Sequence, residues 1–158
     1  MMRWIDLSVR SGQHLHLKRP VLLRAYGGAA RHERWECIMA AIDGLFFKYG
    51  HRITSGVAEF LYDRIEADTA LAPFFEGVNL AALRDHMADL LSVLTGGPDM
   101  YRGQDTGKAH ADLNIDEAAF NRVAGHLVAA LEQAGIAPED AAALLEVIAQ
   151  QKANVISA

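Results

Sequence analysis

From residue 54 onward the apolar residues recur with a helical period, and glycine and proline cut that pattern into separate segments. Val57, Phe60, Leu61 and Ile65 share one helical face, and Asp68, Pro73 and Gly77 end the run. Asn79 is placed to cap a second helix carrying Leu80, Leu83, Met87, Leu90, Leu91 and Leu94. Gly96-Gly97-Pro98 stops it. A third helix is expected from Asn114, with Glu117 as its capping-box partner, Phe120, Val123, Leu127, Val128 and Leu131 as its stripe, and Gly135 as its stop. A fourth follows Pro138, with Glu139 and Asp140 in its first turn and Leu144, Leu145 and Ile148 expected to be buried. No alternating run with turn signals competes, so the expected class is all-α.

Residues 96–113 do not fit a tidy bundle. They hold four glycines and little periodicity, whereas helix connections usually run to about 2–8 residues. A long irregular segment inside a domain usually serves a purpose such as holding a ligand, and His110 lies near its end, where a short helix could form.

Composition narrows the function classes. Of 158 residues, 51% are hydrophobic, enough for a real core, yet no run approaches the ~18 apolar residues of a membrane span. A single cysteine, Cys37, excludes an internal disulfide and a multi-cysteine zinc site. Residues 1–38 carry seven basic and three acidic side chains, a charge of +4; the total of −5 therefore leaves −9 on residues 39–158. An acidic body is poorly suited to nucleic acid, which needs clustered Lys and Arg. The basic stretch is open to three readings: a binder of acidic surfaces, an Arg-rich targeting peptide, or residues upstream of a true start at Met39. The expected division is a leader over 1–38, outside the fold, and one domain over 39–158.

Among the seven histidines no pair has His-Glu-x-x-His spacing, and no Gly-x-Ser-x-Gly or phosphate-loop pattern occurs. His86 follows Leu83 by three positions and precedes Leu90 by four, so it borders the apolar stripe of its helix. It either reaches the space that the stripe faces or bonds to backbone or solvent at the margin. Tyr62 adjoins Leu61 on a mostly buried helix, and a buried phenol needs a partner, which a carbonyl could supply. His126 reads as a packing residue, and His14 and His16 as part of a tail.

The blocks Phe60-Leu61-Tyr62-Asp63-Arg64-Ile65-Glu66-Ala67-Asp68, Leu71-Ala72-Pro73-Phe74-Phe75-Glu76-Gly77, Gly96-Gly97-Pro98, Tyr101-Arg102-Gly103, Ala109-His110-Ala111, Phe120 and Val123-Ala124-Gly125-His126-Leu127 stand in one register. Together they resemble a group I truncated hemoglobin over roughly residues 41–156. The resemblance implies a shortened globin, two helices over two, enclosing heme b (iron protoporphyrin IX). His110 matches the proximal iron ligand, Tyr62 the distal tyrosine that donates to bound dioxygen, and Phe75 the phenylalanine stacked on the heme. Leu83, Met87 and Leu90 match distal walls; Thr106, Ala109, Phe120 and Val123 match other heme-lining positions. A phenolic donor in a dry pocket can stabilise a partly negative ligand by about 1–3 kcal/mol.

The sequence also departs from that pattern. An early Gly-Gly pair is represented only by Gly50, and Asp112, Leu113 and Asn114 replace the glycines usual after the proximal histidine. Met87 stands where a glutamine often provides a second donor. His86 stands where some cyanobacterial members carry a sixth iron ligand; the competing reading pairs it with a heme propionate. Three functions stay open: a dioxygen-binding protein that turns nitric oxide into nitrate with a reductase as partner, a module for binding dioxygen, nitric oxide or carbon monoxide, for sensing or for electron transfer, and a helical module without heme. Retention of His110 and Tyr62 argues against the last. The remaining expectations are a monomer in the cytoplasm, with neither nucleic acid nor membrane as partner.

Overall fold

The computed structural model describes residues 40–98, 101, 110, 111 and 113–156. Helix α1 spans Leu45–Tyr49 and is followed by a 3₁₀ turn, Gly50–Arg52. Helix α2, Ser55–Ala67, buries Val57, Ala58, Leu61, Tyr62 and Ile65 on one face, while Glu59, Asp63 and Glu66 take the exposed side. It ends where Asp68 turns to extended backbone, and a second 3₁₀ turn, Ala72–Phe75, carries Pro73 as its second residue. Helix α3 spans Leu80–Leu94, α4 Glu117–Gln133, α5 Pro138–Ala149 and α6 Lys152–Val155. The described residues contain no strand.

The caps follow side-chain chemistry. Asn79 accepts the Ala82 N–H at 3.2 Å and opens α3. At its end the Gly97 N–H donates to the Ser92 carbonyl at 2.8 Å and the Gly96 N–H to Val93, a Schellman closure with Gly96 at φ +86°. Helix α4 closes the same way, Ile136 N–H to Leu131 and Gly135 N–H to Glu132, with Gly135 at φ +71°. Its start differs from the sequence expectation. Asp116, not Asn114, is the cap: its extended backbone lets the carboxylate accept the Ala119 N–H at 2.7 Å. Asn114 is left-handed at φ +50° and turns the chain before the helix, so Glu117 is the first helical residue and no capping box forms.

Two burial expectations also change. Val128 is 39% exposed, because one residue beyond Leu127 the helix has rotated its side chain off the core face; Ala130 is buried instead. On α5 the buried positions are Leu144 and Val147, with Leu145 and Ile148 half-buried.

Helix α2 packs on both α3 and α4, and α4 packs on α5, giving the paired layers of a two-over-two helical sandwich. The core runs through Leu61, Ile65, Leu91, Leu131 and Leu144 and extends to Ile42, Leu45 and Ile53, ahead of the periodic part of the sequence. Tyr49 ties α1 to α5: its hydroxyl donates to Asp140 at 2.6 Å and accepts the Ala137 N–H at 3.1 Å, while Lys48 meets the same carboxylate at 2.6 Å.

Candidate functional site

Helix α3 leaves its apolar stripe half-covered. Only Leu91 and Ser92 are buried, whereas Leu83, Met87, Leu90 and Leu94 keep partial exposure. Leu83 and Met87 pack against the core cluster that contains Tyr62, as do Phe75 from the 3₁₀ turn and Val123 from α4. Tyr62 is only 5% exposed, and its ring meets Phe75 edge-on at 6.3 Å and 82°. Every fully enclosed side-chain nitrogen or oxygen among the described residues has a hydrogen-bond partner. The Tyr62 hydroxyl has no hydrogen-bond partner among them, so no described carbonyl receives it, and its ring lies in the cluster against which Leu83 and Met87 pack. Burial above all, with a smaller contribution from Tyr101 and against the pull of Arg84, pushes this phenol up to about 12.

The other described candidates are half-buried. His86 is half-buried on α3 with its ring edge-on to Tyr101 at 6.4 Å. His110 is helical and half-buried at the end of the irregular stretch, and its carbonyl accepts the Leu113 N–H at 3.2 Å. Phe120 is half-buried in the first turn of α4, under the Lys152 ammonium at 5.9 Å. Thr106 and Ala109 lie outside the described residues.

Four polar residues, Arg84, Asp68, Arg122 and His126, make ties that the sequence reading did not assign. Arg84 reaches from α3 to α2, donating to the Glu59 carbonyl at 3.2 Å and to Asp63 at 2.8 Å and pairing with Glu66. Asp68, read only as a helix stop, is buried and receives Arg122 Nε at 2.6 Å and His126 Nε2 at 2.7 Å on one oxygen. Its other oxygen accepts the Ala70 N–H at 3.0 Å. The Arg122 guanidinium first, then His126, hold this carboxyl at about 2. His126, read as a packing residue, is thus a polar tie. The i, i+4 spacing of Arg122 and His126 was the available signal, since it puts both on one face of α4.

These residues fit heme. A planar apolar group needs apolar walls, which Leu83, Met87, Leu90, Phe75 and Val123 supply, and iron needs an imidazole, which His110 and His86 carry. Among the described residues no group of three or more His, Cys, Asp or Glu is placed to hold a bare metal ion, and no helix is long and apolar enough to cross a membrane.

Comparison with known proteins bears on the same reading. The bacterial-like globin family model matches residues 49–157. A group 1 truncated hemoglobin from a Nostoc species is 34% identical over 101 residues, covering 64% of this chain and 86% of that protein. Another from Mycolicibacterium paratuberculosis is 35% identical over 100 residues, 63% of this chain and 74% of that protein. The crystal structure of the truncated hemoglobin from Tetrahymena pyriformis in its Fe(III) form superposes with a TM-score of 0.61 at 22% identity, over 65% of this chain and 87% of that one, which shows a shared fold.

Proposed function

The chain belongs to the bacterial-like globins, as a group 1 truncated hemoglobin, and from that premise we propose that His110 holds the iron of heme b and that Tyr62 is the hydrogen-bond donor to its diatomic ligand. The family is one of heme proteins that bind small gaseous ligands such as dioxygen. Heme iron, when bound, supplies the coordination position at which dioxygen, nitric oxide or carbon monoxide is held reversibly. The chain's own residues do the rest. Leu83, Met87, Leu90 and Phe75 would exclude water from the ligand, and Phe120 and Val123 would line the heme elsewhere. The observation that carries the reading is the buried Tyr62 phenol with no hydrogen-bond partner among the described residues, set beside a half-covered apolar face. A donor so placed is desolvated already, so a partly negative ligand gains the full strength of its hydrogen bond.

Absorption spectra test the assignment. The purified chain loaded with heme is expected to show a strong visible band that His110→Ala abolishes or converts to that of loosely held heme; an unchanged spectrum excludes His110 as the ligand. His86, on the same helix as the distal wall, is the candidate sixth ligand in the ligand-free protein. A low-spin ferrous spectrum that becomes high-spin in His86→Ala is the expected result. A five-coordinate high-spin spectrum at neutral pH, or a low-spin one that survives the substitution, sinks it and leaves His86 to pair with a propionate.

A further inference from the structure

We propose that Asp68, held by Arg122 and His126, is a positioning residue for the distal pocket: it sets the turn that carries Phe75 and, through Phe75, the placement of the Tyr62 phenol. The inference rests on the reading of Tyr62 as ligand donor and assigns a further part of the chain to that site.

The links are continuous. Arg122 and His126 project from α4 onto one oxygen of Asp68 at 2.6 and 2.7 Å. Facing an ionised carboxylate, the His126 Nε2 is the protonated nitrogen and donates. The other carboxylate oxygen takes the Ala70 N–H, and the Asp68 carbonyl takes the N–H groups of Leu71 and Ala72, each at 3.0 Å. One residue thus fixes both the direction of the chain leaving α2 and its distance from α4. Leu71, 1% exposed, plugs the core directly after it, and the Phe74 N–H donates to the Leu71 carbonyl at 2.9 Å, closing the 3₁₀ turn around Pro73. Phe75 ends that turn with its ring edge-on to Tyr62 at 6.3 Å. The phenol has no hydrogen bond of its own among the described residues to orient it, so packing against Phe75 is what restricts it. The same latch joins the element bearing Phe75 to α4, which bears Phe120 and Val123, two further residues proposed to line the heme.

A merely structural ion pair would change stability and leave the pocket alone. The discriminating readout is therefore the C–O stretching frequency of the carbon monoxide complex of the heme-loaded full chain, together with the dioxygen dissociation rate. A distal donor lowers that frequency, and Tyr62→Phe calibrates the shift for complete loss of the donor. Asp68→Asn, His126→Ala and the milder Arg122→Gln, at a side chain 54% exposed, are expected to move or split the band toward the Tyr62→Phe position. They are also expected to speed dioxygen release by about threefold or more, a fraction of the hydrogen bond's worth. His126→Gln, which keeps an N–H donor, is expected to restore most of the native band. Asp140→Asn, at the carboxylate that fastens α1 to α5, is expected to lower stability with the band unmoved. Latch variants that lose stability while keeping the native band and rate overturn the proposal and leave the Tyr62 reading standing. A Tyr62→Phe band identical to the native one overturns both.

Discussion

Tyr62 shows how much a single environment decides. Its ring lies in the core while its hydroxyl meets no acceptor among the described residues, and burial raises the phenol to about 12. The sign follows directly. The protonated form is the donor, and it persists in the folded protein well above the ordinary tyrosine range near 10. Dioxygen dissociation is therefore expected to stay flat to about pH 10, with no tyrosine titration below that. Between about pH 10 and 12 the unfolded chain ionises this phenol and the folded chain does not, so its contribution to stability falls across that window. Replacing the donor, Tyr62→Phe, removes one desolvated hydrogen bond and is expected to speed dioxygen release roughly tenfold or more, measured by stopped-flow mixing with carbon monoxide. A rate within a factor of two of the native one would remove Tyr62 from the role.

At the scale of elements, the two glycines that end α3 differ from the one inside α4. A Cβ on Gly96 would lie 2.6 Å from Asp43 Oδ1 and 2.9 Å from the Gly44 nitrogen, at a φ of +86° that an L side chain resists. A Cβ on Gly97 would meet the Phe46 ring and Ser92 Oγ at 2.5 Å. Both let residues 43–46 lie against the Thr95 carbonyl, which accepts the N–H groups of Gly44 and Phe46. Gly96→Ala is therefore expected to cost about 2 kcal/mol or more. Gly125, in open space on α4, is expected to gain about 0.5–1 kcal/mol as alanine. Denaturant midpoints measure both, and a neutral Gly96→Ala would refute the close approach. The sequence reading found Gly96-Gly97-Pro98 as a helix stop because termination is a local property. The approach of residues 43–46 is tertiary and leaves no periodic trace. The same distinction explains the rest. Helices α2, α3, α4 and α5 were legible from apolar spacing, and Tyr62 from its neighbour Leu61. The start of α4 was misplaced by two residues because Asn114 and Asp116 are both good capping types, and only backbone angle separates them. Asp68 went unread as a hub because its partners lie 54 and 58 residues away.

For the whole molecule, the question is where the folded unit begins. Ile42 is 0% exposed and Leu45 is 4% exposed, so the core already includes positions well ahead of the periodic sequence. Backbone hydrogen bonds from Gly44 and Phe46 to Thr95 fasten that edge to the end of α3, and Tyr49 fastens α1 to α5 through Asp140 and Ala137. The Lys48 and Tyr49 contacts keep the Asp140 carboxyl below its ordinary range, so this fastening holds at neutral pH and weakens as acid protonates the group. Residues 1–39 lie outside the described residues, and the charge division sets +4 over 1–38 against −9 over the remainder. A chain starting at Met39 retains every contact named for the fold and every proposed heme contact. It is therefore expected to take up heme with the same absorption spectrum and the same thermal midpoint as the full chain, because heme binding and core packing are linked through the folded state alone. Its mobility toward a cation-exchange resin should drop, since the basic stretch is gone. A Met39 chain that fails to fold, or that loses heme faster than the full chain in transfer to an acceptor globin, would place the basic segment within the structural unit.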